Sequence, residues 1–326
     1  MTKLPPFDIT AEILALSQRI SRELGKITGS KKDNAAVILR RINSIKTIQA
    51  SLAIEGNTLD VEQISAILEG KRVIGPKRDI EEAKNALEVY GQLTRLNPLH
   101  MDDLLRAHGT MMRGLIEECG SFRSKGVGVF DGSRVVHMAP SAKMVPKLME
   151  KLFAFISANL DLPWLIKACV FHYELEFIHP FSDGNGRIGR LWQHLLLIRE
   201  DPIFEYVPVE TLVRENQKEY YAVLGQCDKE GSSTKFIVFS LEQILAALIS
   251  FQAQTVRVTQ GPKERLAFAR FKLGSEKFSR KDYLLIHDDV STATASRDLE
   301  YGVKHNLLEM EGKRNQAQYA FADIIG

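Results

Sequence analysis

Three cysteines, Cys119, Cys169 and Cys227, are scattered over 326 residues with no CxxC pair among them. That scarcity excludes a disulfide framework and a thiolate zinc site, and fits a reducing compartment where each thiol is ordinary core. Net charge is scarce too. The 43 Lys and Arg against 41 Asp and Glu leave +2, too little to steer the whole protein to nucleic acid or to an anionic membrane. Met1-Thr2-Lys3-Leu4-Pro5-Pro6 has no apolar signal core, and no run reads as membrane-spanning. Internal repeats and low-complexity tracts are missing as well. These absences predict a cytoplasmic protein with no membrane partner. What is present, 44% hydrophobic and 26% charged residues, is ordinary core and surface material, and the length suits two or three units.

One stretch concentrates chemistry: His179-Pro180-Phe181-Ser182-Asp183-Gly184-Asn185-Gly186-Arg187-Ile188-Gly189-Arg190. Ile188, Leu191, Trp192, Leu195, Leu196 and Ile198 follow at helical spacing, so the Gly-Asn-Gly turn opens a helix. Such a turn aims unpaired N–H groups and the positive end of the helix dipole at one point, a site for phosphate. Gly184 and Gly186 have no β-carbon to hold a ligand off the backbone. Arg187 and Arg190, three apart, share a face and suit further phosphate oxygens. Asp183 suits Mg²⁺, which at a triphosphate takes one or two carboxylates. His179 is the base beside the turn that works at neutral pH.

Around this stretch the chain reads as mainly α. Helices are expected over Ile9–Ile27, Ala35–Ala53 (stopped at Gly56), a short one capped by Asp60 and Gln63, one opened by Asp79 and Glu82 and reaching Leu96, and Leu104–Glu118. Ser51 and Glu55, four apart, share a helix face. Val127, Val129, Phe130, Val135 and Val136 around Asp131-Gly132 predict a β-hairpin. Helices follow over Ser141–Leu160, Leu162–Phe177 (with His172 as a packed residue), Glu210–Leu224 and Ser233–Val256. Thr259-Gln260-Gly261-Pro262 marks a boundary. From Lys263 the order is helix, turn, helix, then a charged hairpin, similar to a winged helix-turn-helix with Ser291–Lys304 as its second helix. Arg297, Lys304, Lys313 and Arg314 are its candidate phosphate contacts. Its eleven Lys and Arg against ten Asp and Glu leave DNA and protein partners both open.

The twelve-residue stretch resembles, position for position, the HxFx(D/E)GNGRxxR signature of the Fic (Fic/Doc) family, with a similar run-in from His172 to Ile178. Ser51-x-x-x-Glu55-Gly56-Asn57 resembles that family's (S/T)xxxE(G/N) inhibitory motif. The resemblance implies three blocks: an inhibitory segment (1–80), a Fic-fold helical core with a β-hairpin flap (81–258) and a C-terminal winged helix (263–326). It implies transfer of AMP from ATP, with Mg²⁺, to a Ser, Thr or Tyr hydroxyl of a target protein or of the chain itself. His179 would be the base and Asp183 the metal ligand, with a backbone anion hole from Gly184 to Arg187. Asn185, Arg187 and Arg190 would meet the α-, β- and γ-phosphates, and Asn216 or Tyr220 the adenine, although core packing of the tyrosine is equally open. Phe181 would anchor the loop. Val135, Val136 and His137 would dock the target by strand addition. Ser51 and Glu55 would restrain Arg190. Removal of AMP by the same site, transfer of another nucleotide, a DNA-binding regulator acting through the winged helix, and a homodimer remain open.

Overall fold

The structure, a computed structural model, describes residues 5–28, 33–131, 134–158, 161–258, 261–274, 277–287, 290–312 and 317–322. Two compact units make up the chain: Met1–Thr28 with Asn43–Leu248, and Gly29–Ile42 with Ile249–Gly326. The first holds α1 (Ala11–Thr28), α2 (Asp33–Ile54, from Asn43 onward), α3 (Val61–Leu68), α4 (Lys77–Tyr90) and α5 (Met101–Met111). A hairpin of β1 (Gly128–Asp131) and β2 (Arg134–Met138) follows. Then come α6 (Val145–Ser157), α7 (Trp164–Ile178), α8 (Asn185–Glu200), α9 (Val209–Glu215), α10 (Gln217–Glu230) and α11 (Thr234–Val258, up to Leu248).

Burial explains this arrangement. On α1 the stripe Ile13, Leu16, Ile20, Leu24 and Ile27 is buried, one face of an amphipathic helix. In α7 and α8 almost every face is buried, including Phe171, Leu175, Leu191 and Trp192. A helix covered all round belongs at the centre, and the six-residue loop joining this pair is the core of the motif. Thr234–Ala253 within α11 has a mean hydropathy of 1.7 and is by length and composition long enough to cross a membrane, contrary to the expectation that no run would be. Its window is 61% buried inside the protein, so much of that apolarity is core.

Local signals were honoured where nothing distant competed. Asp60 and Gln63 form the expected capping box of α3, Gln63 N donating to Asp60 Oδ1 at 2.8 Å and Asp60 N to Gln63 Oε1 at 3.0 Å. The expected start at Asp79 and Glu82 fails, because α4 begins at Lys77 behind Pro76. Asp79 instead accepts from Thr58, and Glu82 from Arg187 and Asn57. α5 ends at Met111, well short of Glu118, and the expected helix over Glu210–Leu224 breaks at Asn216.

The second unit contains α12 (Pro262–Leu273), β3 (Phe278–Ser279), α13 (Arg280–Ile286), α14 (Thr292–Lys304), β4 (Leu308–Glu311) and β5 (Gln318–Phe321). The strands form an antiparallel sheet in the order β3-β5-β4. α12 and β3 were not expected. Lys313 and Arg314 lie outside the described residues. Leu266, Phe278, Tyr283, Leu299 and Leu308 make the core, and Asp298, 2% exposed, takes Arg265 on both oxygens at 2.5 and 2.6 Å and Tyr283 Oη at 3.2 Å. Removing one partner of such a buried pair strands the other. Asp298→Ala should lower the stability of this unit by about 3–5 kcal/mol, seen as an earlier transition in thermal unfolding of the full chain. An unshifted transition would show that Arg265 does not depend on the carboxylate.

Candidate active site

α7 ends where His179 adopts the left-handed conformation (φ 48°, ψ 61°), its N–H still bonded to Leu175 O at 2.8 Å. Pro180 then forbids continuation. A non-glycine residue in this region is strained by roughly 1–3 kcal/mol and persists only where its surroundings over-determine it. Here they do. Arg123, 3% exposed, donates Nε to His179 O at 2.7 Å and Nη2 to Ile178 O at 3.4 Å, while its own N–H bonds Pro180 O at 2.9 Å. The same guanidinium holds Lys125 O and Pro140 O, on either side of the hairpin. Burial lowers its pKa.

The next residues are clamped equally firmly. Phe181 is fully buried and stacks on His108, rings 3.7 Å apart and 7° from parallel. Gly120 N–H donates to His108 Nδ1 at 2.9 Å, so the other nitrogen carries the proton and donates to Asp183 O at 3.0 Å. Burial pushes His108 down to about 4, which keeps that tautomer neutral. Asn185 closes the loop on itself, Oδ1 accepting from Phe181 N at 2.9 Å and Nδ2 donating to Phe181 O at 3.0 Å. Its amide is thus engaged in shaping the loop, where the expectation had it orient a phosphate.

Gly184 has φ 86° and lies where a β-carbon would come within 2.7 Å of Met112 Sδ. No side chain caps α8, so its first-turn N–H groups face outward without intrahelical acceptors. Arg190, 2% exposed, extends over them. Its Nε donates to Ser51 Oγ at 3.1 Å, and Nη2 to Ser51 O at 2.9 Å and Glu55 Oε1 at 2.7 Å. Nη1 has no partner and stands 3.0 Å from where a Gly186 β-carbon would be; that carbon would collide with Glu55 Oε1. Glu55 therefore occupies the space directly above the turn. Burial works against the Arg190 charge, but Glu55 and neighbouring groups raise its pKa overall. Beneath it, His194 Nδ1 and Glu210 Oε1 face each other at 3.6 Å. Burial lowers that histidine to about 4 and raises that carboxyl to about 7, so on the acid side of neutrality both are uncharged.

Arg187, 4% exposed, bonds Glu82 Oε1 at 3.0 Å and Asp183 Oδ1 at 2.9 Å. Asp183 is 41% exposed and also meets Arg78 at 3.3 Å. His179 Nδ1 lies 3.4 Å from Glu176 O; a carbonyl only accepts, so a proton on Nδ1 leaves the basic lone pair on Nε2. The structure thus gathers His179, Asp183, Gly184, Gly186, Arg187, Arg190, Ser51 and Glu55.

It does not gather two others. Tyr220 is 1% exposed and bonded to His172 Nε2 at 3.1 Å, inside the core. Asn216 Nδ2 is engaged by Leu212 O and Gln243 Oε1. The exposed neighbour is Tyr221, beside Gln217, whose Nε2 donates to Ile54 O at 2.8 Å. In the hairpin, Val135 and His137 pair with Phe130 and Val129, a bulge falls between, and β1 and β2 are the only strands of their sheet among the described residues. The side chains of Val135, Val136 and His137 lie outside the described part. His108, Arg123, Glu82 and Arg78 were not expected at the site, since each comes from an element remote from the motif.

His108 makes the site acid-sensitive in a defined direction. Its folded pKa of about 4 lies below the ordinary 6.5. The unfolded chain therefore binds the extra proton first, and stability present above 6.5 is lost as pH falls toward 4. The full effect is on the order of 3 kcal/mol. His108→Gln removes this titration, so its melting temperature should fall less steeply than wild type between about pH 6.5 and 4.5; parallel profiles would refute the assignment.

Comparison with known proteins agrees with this geometry. Residues 98–197 match the Fic/DOC family. The protein adenylyltransferase fic-1 of Caenorhabditis elegans is 31% identical over 185 residues, covering 53% of this chain and 34% of that protein. The protein adenylyltransferase Fic of Nematostella vectensis is 30% identical over 204 residues, covering 59% and 45%. The chain thus spans well under two thirds of the length of these curated relatives. The solved Fic-1 of C. elegans shares the fold, with a TM-score of 0.61 at 22% identity over 74% of this chain and 71% of that one. A Fic family protein from Desulfovibrio desulfuricans G20 is 38% identical, with a TM-score of 0.74 and 98% of both chains covered. With the signature loop assembled and a relative matched from end to end, the chain belongs to the Fic/DOC family.

Proposed function

We propose that this protein transfers AMP from ATP to a hydroxyl side chain of a protein, and that Glu55 restrains the transfer. The observation that carries the reading is the juxtaposition of Arg190, the open first turn of α8 and His179 in one loop, with Glu55 seated on the arginine. The N–H groups of Asn185 to Arg187 are preorganised for the charge that grows on a phosphoryl group in transfer. Arg190 exchanges Glu55, and Arg187 its bond to Asp183, for the outer phosphates, while Glu82 stays on Arg187. His179 Nε2 removes the proton from the incoming hydroxyl as its oxygen bonds the α-phosphorus, and the bond to pyrophosphate breaks. The acceptor lies along the hairpin by main-chain pairing, which fixes depth without reading sequence.

The residues present fit Mg²⁺ if it arrives with the nucleotide. No group of three ligating side chains exists among the described residues, but one partly exposed carboxylate, Asp183, suffices for an ion that brings phosphate oxygens and water. Bound there, the ion supplies positive charge to the polyphosphate. The helix-turn-helix and hairpin of the second unit read as a winged helix. Its α14 exposes Glu300 between Arg297 and Lys304, a mixed face that favours a protein partner over DNA.

The test is labelling with ATP carrying a radioactive α-phosphate. A charge-assisted bond of roughly 1.5–3 kcal/mol at Arg190 predicts that Glu55→Gly labels itself or other proteins about 10- to 100-fold faster than wild type. Adding His179→Ala should abolish the signal. No labelling by Glu55→Gly, of itself or of a broad lysate, would reject the reading.

A further inference from the structure

Four side chains, Asp183 among them, form a closed ring of alternating charge. Arg187 Nη1 meets Glu82 Oε1 at 3.0 Å, and Arg187 Nη2 meets Asp183 Oδ1 at 2.9 Å. Asp183 Oδ2 meets Arg78 Nη2 at 3.3 Å, and Arg78 Nε returns to Glu82 Oε1 at 3.5 Å. The ring is lopsided. Arg187 and Glu82 are 4% and 8% exposed, whereas Asp183 and Arg78 are 41% and 62%. Glu82 is further fixed by Asn57 Nδ2 at 2.9 Å. The inner half is therefore buried and tied down, and Arg78 is held only by long contacts, 3.3 Å to Asp183 and 3.5 Å to Glu82, from a largely solvated side chain. Such contacts are weak and easily exchanged.

We infer that Arg78 is a third arginine of the nucleotide site: it neutralises Asp183 when no metal is bound, and joins Arg187 on the polyphosphate once a divalent cation takes its place. This rests on the reading of Asp183 as the metal ligand. A guanidinium and a divalent cation compete for Asp183 Oδ2. When the cation wins, Arg78 stays tethered to the first turn of α4. Its head then lies within a side chain's reach of the phosphates that Arg187 and the cation share. Displacement moves one positive charge a short distance from carboxylate to phosphate, so the site never holds an unbalanced Asp183. The expected partner is the outer, multiply charged part of a nucleoside triphosphate, because that part needs the most positive charge.

The two halves of this role act in opposite directions, which a merely structural residue would not do. In the full chain carrying Glu55→Gly, Arg78→Ala should bind Mn²⁺ alone about two- to fivefold more tightly, the size expected for losing an exposed competing pair, read by the loss of the free Mn²⁺ resonance. The same variant should bind a non-hydrolysable ATP analogue with Mg²⁺ about two- to fivefold more weakly by calorimetry. Arg78→Glu should enlarge both shifts, and Arg78→Lys should reduce both. Shifts of the same sign, or no shift in either titration, overturn the inference. Asp183→Ala separates the two levels: it should abolish Mn²⁺ binding, and if binding persists the fault lies with the reading of Asp183 itself.

Discussion

A guanidinium that is 2% exposed cannot be left without an anion. Arg190 is held in that position by the packing of α8, and water does not reach it well enough to substitute for a partner. Ser51 contributes two oxygens, a hydroxyl and a carbonyl, but neither carries charge. A carboxylate or a phosphate must complete the set. This requirement joins the end of α2 to the start of α8, with Glu55 supplying the carboxylate. The Nη1 beside Gly186 is left without a partner even so.

The loop beneath is stiff by other means. Arg123 holds four carbonyls and no carboxylate, His108 is kept neutral, and Asn185 imitates backbone. These three fix the chain around His179 and Asp183 without adding a negative charge near the uncapped first turn of α8. The more exposed charged contacts lie around this frame: Glu55 at Arg190, and Arg78 at Asp183. A rigid neutral frame with exchangeable ions is what preorganisation needs, since reorienting dipoles during transfer would raise the barrier.

How far the chain could be read depended on how local each cause was. The capping box at Asp60 and Gln63 involves neighbours, and it formed. Asp79 and Glu82 have the same spacing, yet distant partners recruited both. The break at Asn216 escaped notice because no glycine or proline marks it, while the amide is drawn to Gln243. Resemblance pointed to the expected helix Glu210–Leu224 as the border of the site, but not to its rotation, and rotation decides that Tyr221 is exposed and Tyr220 is core.

What the sequence by itself determined is the content of the twelve-residue stretch. A base, a carboxylate, a glycine turn and two arginines are contiguous, and helix periodicity places the two arginines on one face of α8. The same holds for Ser51 and Glu55 on one face of one helix. Only the tertiary structure decided what surrounds them. His108, Arg123, Glu82 and Arg78 reach the loop from 56 to 105 residues away. Their roles depend on burial and on which partner arrives first, and a polar residue does not carry that information in its neighbours.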